Sequence, residues 1–145
     1  MRRAALALAA LLAAPIAAGN GSDAVVIELG DRTVTKAEFD ARFAIAVRLL
    51  ARRQGVTLAG QDPALIENLR QQYLDQYARE LVLLDEARRR QLDVSDAQVD
   101  AAFGELFADD DEVDALLGDT GLDGDRARAL LERVVRDEQT VELLT

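Results

Sequence analysis

The sequence predicts a mostly α-helical domain of about five helices, one of them long, preceded by a short β-hairpin. Apolar residues alternate over residues 25–29 and then meet a Gly-Asp turn, which is typical of a strand that enters a hairpin. After residue 36, apolar residues recur at intervals of three and four, which indicates amphipathic helices. Thr35 with Glu38 and Ser95 with Gln98 match the capping box, a pattern in which two side chains satisfy free N–H groups at a helix start.

Residues 1–19 have the order of a secretory signal peptide. A basic start precedes an apolar Ala/Leu-rich run that contains Pro15, and small residues follow where a signal peptidase would cut. The run is too short to span a membrane, so a cleaved signal is favoured over an N-terminal anchor or a buried helix. We therefore expect a flexible junction at 20–23 and a single domain at 24–145.

The predicted hairpin and the first helix follow each other directly. The strands are expected at 25–29 and 32–34, with the turn at Gly30-Asp31. A two-stranded hairpin is marginally stable by itself, so it is expected to pack on the helices. The first helix is predicted at 36–54, with Gly55 as its left-handed C-terminal cap.

The second helix is predicted to run from Pro63 to about Arg90. Proline suits the first turn of a helix, where its missing N–H would have no partner. At 1.5 Å per residue this helix is roughly 40 Å long, which is more than a compact domain of this size needs. One apolar stripe follows its length: Leu65, Leu69, Tyr73, Tyr77, Leu81 and Leu84.

Three further helices are predicted in the last third of the chain. Ser95 caps the third helix, and the acidic run at 109–112 is expected to end it and to start a short fourth helix at 113–117. A turn at 118–121 then leads to a fifth helix at 125–144, whose apolar residues recur at helical spacing.

The composition excludes several classes of partner. The chain has 27 acidic and 17 basic residues, and this net charge of -10 repels nucleic acid and anionic lipid surfaces. It has no cysteine, so it uses neither disulfides nor a lipid-modified cysteine anchor. We expect an exported protein of the periplasm or cell envelope, soluble after signal cleavage, with no nucleic-acid partner and no stable membrane insertion.

The aromatic residues form three pairs, each with a spacing of four, which places both rings of a pair on one helix face. The first interpretation is that the rings pack as the core of the domain. The second is that one pair, most readily the tyrosines, lines a groove for apolar peptide segments. Seven residues are candidates for binding such segments, which we call client segments: Phe39, Phe43, Tyr73, Tyr77, Leu81, Phe103 and Phe107.

No residue pattern predicts catalysis, a cofactor or a metal site. The chain lacks histidine as well as cysteine, which removes the usual acid–base and nucleophilic side chains and the usual zinc ligands. Asp119, Asp123 and Asp125 are spaced like calcium-loop ligands, but Gly121 and Leu130 occupy two ligand positions. Helix capping by Asp123 or Asp125 is therefore the preferred interpretation of that run.

The order of these motifs resembles the N-terminal module of SurA-like periplasmic chaperones, a group that includes parvulin-type peptidyl-prolyl isomerases. The resemblance covers about residues 24–144. Two departures are Gly-Asp in place of Asn-Gly at the hairpin turn, and Gln91-Leu92 where the family often has glycine. The matching positions are Gly30, Val34, Thr35, Leu74, Tyr77, Leu81, Leu84, Ala87, Ser95, Asp96, Val99, Gly121 and Leu122.

The resemblance implies an ATP-independent holdase for unfolded, nascent or outer-membrane polypeptides of the envelope. Isomerase activity is not expected, because the chain stops at Thr145 before an isomerase domain and has no histidine. The alternative is a non-catalytic structural or assembly partner, such as half of a split chaperone-isomerase or a constitutive homodimer.

Overall fold

The computed structural model describes residues 21–145, and the predicted signal peptide at 1–19 lies outside these residues. The elements follow the chain in the order strand, strand and five helices, as the apolar periodicity predicts. The mostly helical fold class with one short hairpin is therefore confirmed.

The hairpin consists of strands β1 (Val25–Leu29) and β2 (Arg32–Thr35), paired antiparallel. Ile27 lies opposite Val34, and both side chains are buried against the helices. Gly30 turns the chain with φ of 62°, a left-handed value that glycine adopts without steric cost. Residues 21–23 of the predicted junction form a turn, and Ala37 N–H donates a hydrogen bond of 3.0 Å to the Ser22 carbonyl oxygen.

Helix α1 (Lys36–Gln54) is the central element of the domain. Its start has the predicted capping box, in which Glu38 N–H donates to Thr35 Oγ1 at 3.2 Å. Its end has the predicted left-handed cap, with Gly55 at φ of 68°. Seven residues around its circumference are buried: Phe39, Arg42, Phe43, Ile45, Val47, Leu49 and Ala51.

Helix α2 (Pro63–Arg89) is the long helix that the sequence predicts. Asp62 caps it by accepting a hydrogen bond of 2.9 Å from Ala64 N–H, and Pro63 occupies its first turn. Its last turn is basic, and Arg90 Nε donates to Glu86 Oε2 at 2.8 Å. Positive charge at this end is favourable because it faces the negative end of the helix dipole.

Helix α3 (Asp96–Leu106) starts at the predicted Ser95 cap, but the boundary between α3 and α4 (Asp110–Gly118) differs from the prediction. The acidic run does not end α3. Phe107 is already extended, and Asp109 caps α4 by accepting a hydrogen bond of 3.0 Å from Glu112 N–H. The fourth helix is therefore longer than the predicted 113–117, because the acidic residues occupy its favourable first turn.

Helix α5 (Gly124–Glu142) completes the fold. Asp123 lies at its N-cap position, but its side chain makes no capping hydrogen bond. The side of α5 that faces the core is almost sealed from solvent, with Ala127, Leu131, Val134 and Val135 at 2% exposure or less.

The core consists of two clusters on either side of α1. The hairpin cluster joins β1, β2, α1 and α2 through Ile27, Val34, Phe39, Phe43, Val47, Tyr77, Ala78 and Leu81. The helical cluster joins α1 to α3, α4 and α5 through Ile45, Leu49, Val94, Val99, Phe107, Val113, Leu117, Ala127, Leu131, Val134 and Val135. Because α1 contributes to both clusters, it links the two parts of the domain.

Candidate functional site

Four of the six aromatic rings form one continuous array between α1 and α2. Tyr73 lies 5.8 Å from Phe39, 5.9 Å from Phe43 and 5.9 Å from Tyr77, measured between ring centroids. These separations are typical of favourable aromatic pairs. The structure therefore brings two of the predicted pairs together, and Leu81 joins them in the hairpin cluster.

The third aromatic pair lies elsewhere. Phe103 and Phe107 are 5.8 Å apart and belong to the helical cluster. The guanidinium of Arg52 lies 4.8 Å from the centroid of the Phe107 ring, a cation–π contact that covers this ring on its outer side. The seven candidate client-binding residues thus divide between two separate packing clusters.

Most of the candidate client-binding residues are inaccessible in this conformation. Five of them are buried, and only Tyr73 and Phe103 are partly exposed. The rings therefore act as core residues here, the first of the two interpretations that their spacing allows. Contact between a client and the buried rings of the array between α1 and α2 would require these two helices to separate.

A buried arginine sits beside the aromatic array. Arg42 is only 3% exposed, and its Nε donates a hydrogen bond of 3.1 Å to Tyr73 Oη. Its Nη2 lies 2.7 Å from Glu80 Oε1 and 2.9 Å from Asp137 Oδ2. Its guanidinium also stacks 4.3 Å from the centroid of the Tyr77 ring. One side chain of α1 thereby joins α2 and α5.

The cluster holds one guanidinium and two carboxylates, and all three groups are largely removed from water. Burial by itself lowers the pKa of Arg42, but the acidic groups of Tyr73, Tyr77, Asp137 and Glu80 outweigh it and hold this pKa above its ordinary value. Burial raises the pKa of Glu80, and attraction to Arg42 offsets only part of that increase. Arg42 is therefore charged at neutral pH.

We predict that Glu80→Gln changes how stability depends on pH. The pKa of Glu80 is raised above its ordinary value of 4.5, so the folded state binds more protons than the unfolded state between the two pKa values. The contribution of Glu80 is therefore most favourable below pH 4.5 and declines as the pH rises through the folded-state pKa. Gln at this position still accepts a hydrogen bond from Arg42 but does not titrate.

The measurement is urea unfolding of both chains between about pH 4 and about pH 8, with the free energy of unfolding extrapolated to water. The wild-type chain should lose stability relative to Glu80→Gln as the pH rises. A free-energy difference that stays constant over this range would contradict the prediction.

An apolar groove lies between the C-terminal half of α1, the loop at 55–62 and α4. Its volume is about 690 Å³, and we call it the loop groove. Val56 is 51% exposed at its edge, whereas Leu58 is partly buried against the hairpin cluster. Its apolar lining consists of Ala51, Val56, Leu58, Ala59, Ala115 and Leu116.

The two arginines at the rim of the loop groove have partners within the protein. Arg48 donates hydrogen bonds to the carbonyl oxygens of Ala44 at 2.8 Å and Asp119 at 2.6 Å. Arg52 donates to the Leu106 carbonyl oxygen at 2.8 Å and forms an ion pair with Glu112. Because these donors have internal partners, the groove offers a ligand mainly apolar surface.

Sequence reasoning missed both Arg42 and the loop groove. The position of Arg42 could have been used to predict a buried ion pair. An arginine three residues after Phe39 lies on the apolar face of α1 and must find a buried partner there. The position of Val56 predicts no groove, because a single apolar residue in a loop is common and needs no explanation. The groove arises only when α4 packs beside that loop.

Two further findings concern residues 21–145. No helix in this range is long and apolar enough to cross a membrane. No group of three or more acidic residues in this range is arranged to hold a metal ion. This includes the aspartates of the run from Asp119 to Asp125.

Comparison with known proteins gives one match. The family model described as SurA-like N-terminal domain matches residues 4–117, from the start of the chain to the next-to-last residue of α4. No curated protein and no solved structure matches the chain. The matched region covers most of the sequence and includes the hairpin, the long helix and the Ser95 cap on which the resemblance was based. The chain therefore belongs to the family of SurA-like N-terminal domains.

Proposed function

We propose that this protein is an ATP-independent holdase of the bacterial envelope that binds apolar segments of unfolded polypeptides in the loop groove. Membership of a periplasmic family of this kind indicates a chaperone-related role. The signal-like order of residues 1–19 supports export. The clients we propose are unfolded or nascent envelope proteins, including outer-membrane proteins.

The observation that carries the proposal is the apolar lining of the loop groove. Its volume of about 690 Å³ lies in the range of ligand pockets and accommodates a few apolar side chains. Burial of apolar surface contributes about 25 cal/mol per Å² and has no directional requirement. A groove whose rim arginines already have internal partners therefore tolerates many client sequences, as a holdase must.

The acidic surface supports the same role. A net charge of -10 keeps copies of the chain apart, so it remains dispersed although it exposes apolar side chains such as Val56. The same repulsion opposes filling of the groove by a second copy. Sedimentation velocity at micromolar concentration should accordingly give a monomer, and a stable dimer would favour the alternative of a constitutive assembly.

The test is dilution of an unfolded outer-membrane barrel from urea into buffer with the purified chain, followed by light scattering. The wild-type chain should suppress aggregation at a few-fold molar excess. Val56→Asp places a charge at the edge of the groove and should raise the half-maximal concentration about fivefold, since it removes one apolar contact worth about 1 kcal/mol.

Leu65→Asp is the matched control. Leu65 is also a large exposed apolar residue, at 45%, but it lies in the first turn of α2 and does not line the loop groove. This variant should suppress aggregation as well as the wild-type chain does. Absence of suppression by the wild-type chain would refute the holdase proposal, and equal activity of Val56→Asp would refute the location of the binding site.

A further inference from the structure

A second groove on the domain has a different chemistry. It lies between β2, the N-terminal half of α1 and α5, has a volume of about 460 Å³, and shares no lining residue with the loop groove. Arg32, Arg126 and Arg133 line it, so we call it the arginine groove. Arg32 and Arg133 also line an adjoining cavity of about 600 Å³ that continues along α5.

Three of the four arginines that line this groove, Arg32, Arg126 and Arg133, are exposed and lack acidic partners. Among residues 21–145 none of them forms an ion pair, whereas the other arginines of α5 do. Arg128 pairs with Asp110 at 2.9 Å, and Arg136 pairs with Asp96 at 2.6 Å. Only the arginines of α5 that face the groove are thus left without a carboxylate.

The remaining charges at the groove do not cancel these guanidinium groups. Arg42 at its base is neutralised by its own carboxylate partners. Glu38 lines the groove and keeps its negative charge, while its Oε1 accepts hydrogen bonds from the backbone N–H and the hydroxyl of Thr35. Asp123 is the one other acidic residue of the lining. The three exposed arginines therefore outnumber the two carboxylates of the lining, on a chain whose net charge is -10.

The groove also offers apolar contacts between its charges. Leu122 and Leu130 are partly exposed, and both line it together with the Tyr77 ring. Arg126 and Arg133 are seven residues apart on one helix, and their backbones are therefore separated by about 10 Å along α5. An extended peptide rises about 3.3 Å per residue, so carboxylates two to four residues apart match this separation.

We propose that the arginine groove binds an extended peptide segment in which acidic residues alternate with apolar ones. Carboxylates of the segment pair with Arg126, Arg133 and Arg32, and apolar side chains between them contact Leu122 and Leu130. This inference does not rest on the holdase proposal, because the two grooves have no residue in common.

The overall charge favours a peptide over the other anionic occupants. A membrane surface meets the whole acidic face of the domain and is repelled by it, whereas a single segment enters the groove alone. A second copy carries the same charge of -10 and is repelled as well. An acidic peptide thus gains the attraction of the arginines at the smallest electrostatic cost.

The experiment uses fluorescence anisotropy with the full chain and a labelled ten-residue peptide that alternates Glu with Leu or Val. Two matched peptides carry Gln or Lys in place of Glu. The Glu peptide should bind at least fivefold more tightly than the Gln peptide, and the Lys peptide should not bind. Raising the salt concentration should weaken the binding of the Glu peptide most, because salt screens exposed charges.

The variant test compares two double substitutions with the same change of charge. Arg126→Gln with Arg133→Gln should lower the affinity for the Glu peptide about fivefold to tenfold, because two exposed ion pairs are lost. Arg79→Gln with Arg128→Gln is the control, since both residues are exposed and neither lines the groove. Its affinity for the Glu peptide should stay within twofold of wild type.

Three results would overturn the inference. Equal affinity for the Glu and Gln peptides would show that carboxylates are not recognised. Equal weakening by the two double variants would show that net charge, and not the groove, determines binding. Binding to phosphatidylglycerol vesicles without binding to the Glu peptide would identify a lipid surface as the ligand. None of these results bears on suppression of aggregation through the loop groove.

Discussion

A chain that ends at Asp123, and therefore lacks α5, is expected to lose its cooperative thermal unfolding transition. The family match ends at residue 117, before this helix begins, yet α5 supplies four buried residues of the helical cluster. Circular dichroism at 222 nm, recorded during heating, should show a broad and featureless loss of signal in the shortened chain. The full chain should show one sharp transition.

The expected size of the effect follows from burial. Leu131, Val134 and Val135 are each exposed by 2% or less, and burial of such a side chain contributes about 2 kcal/mol. Together they contribute roughly 6 kcal/mol, which is comparable to the whole stability of a typical domain. Removal of α5 also removes Asp137 from the Arg42 cluster. We therefore expect unfolding and not a modest loss of stability.

A chain that ends at Glu142 provides the control, because it removes only the last three residues, of which Leu143 is 44% exposed. It should unfold at the temperature of the full chain. A synthetic peptide of residues 122–145, added to the chain that ends at Asp123, should restore helical signal as it refills the exposed core. Cooperative unfolding of the shortened chain alone would show that α5 is dispensable.

Arg42→Met is expected to destabilise the domain by about 3 kcal/mol, because removal of one partner from a buried ion pair leaves the other charges without compensation. The side chains of Glu80 and Asp137 are only 13% and 19% exposed, so water replaces the arginine poorly. Tyr73 Oη also loses its donor. Urea unfolding should show the loss, and the melting temperature should fall by about 10 °C.

Arg53→Met is the matched control for this substitution. Arg53 also links α1 to α5, since its Nη2 lies 2.9 Å from Glu138 Oε1. Both side chains of this pair are at least one-third exposed. An exposed pair contributes about 0–1 kcal/mol, so this variant should remain close to wild type. Glu80→Gln in the Arg42→Met chain should recover part of the stability, because it removes one unpaired charge. Equal effects of Arg42→Met and Arg53→Met would contradict the importance of the buried cluster.

Features that depend on neighbouring residues in the chain could be predicted from the sequence. The capping boxes at Thr35 and Ser95 start helices where expected, and the glycine at 55 ends α1 in the left-handed conformation. Each of these features depends on hydrogen bonds between residues three or four positions apart. The predicted start of α4 was wrong, because an acidic run can either follow a helix or form its first turn, and here Asp110, Asp111 and Glu112 form the first turn.

The aromatic pairs mark the limit of this kind of reasoning. A spacing of four places Phe39 with Phe43 and Tyr73 with Tyr77 on shared helix faces, and this could be predicted. Whether those faces meet each other or face solvent depends on how α1 and α2 cross. Periodicity within a single helix contains no information about that crossing.

The sequence by itself determined the element order, the caps at Thr35, Gly55 and Ser95, the acidic surface and the resemblance to SurA-like domains, because each of these is a local or compositional property. Only the tertiary structure decided that four of the six aromatic rings are buried, that Arg42 joins three helices, and that the apolar and arginine grooves are separate. The physical reason is that enclosure and grooves arise between elements that are distant in the chain, such as the loop at 55–62 and α4, or β2 and α5. Their relative placement results from the packing of the whole core around α1.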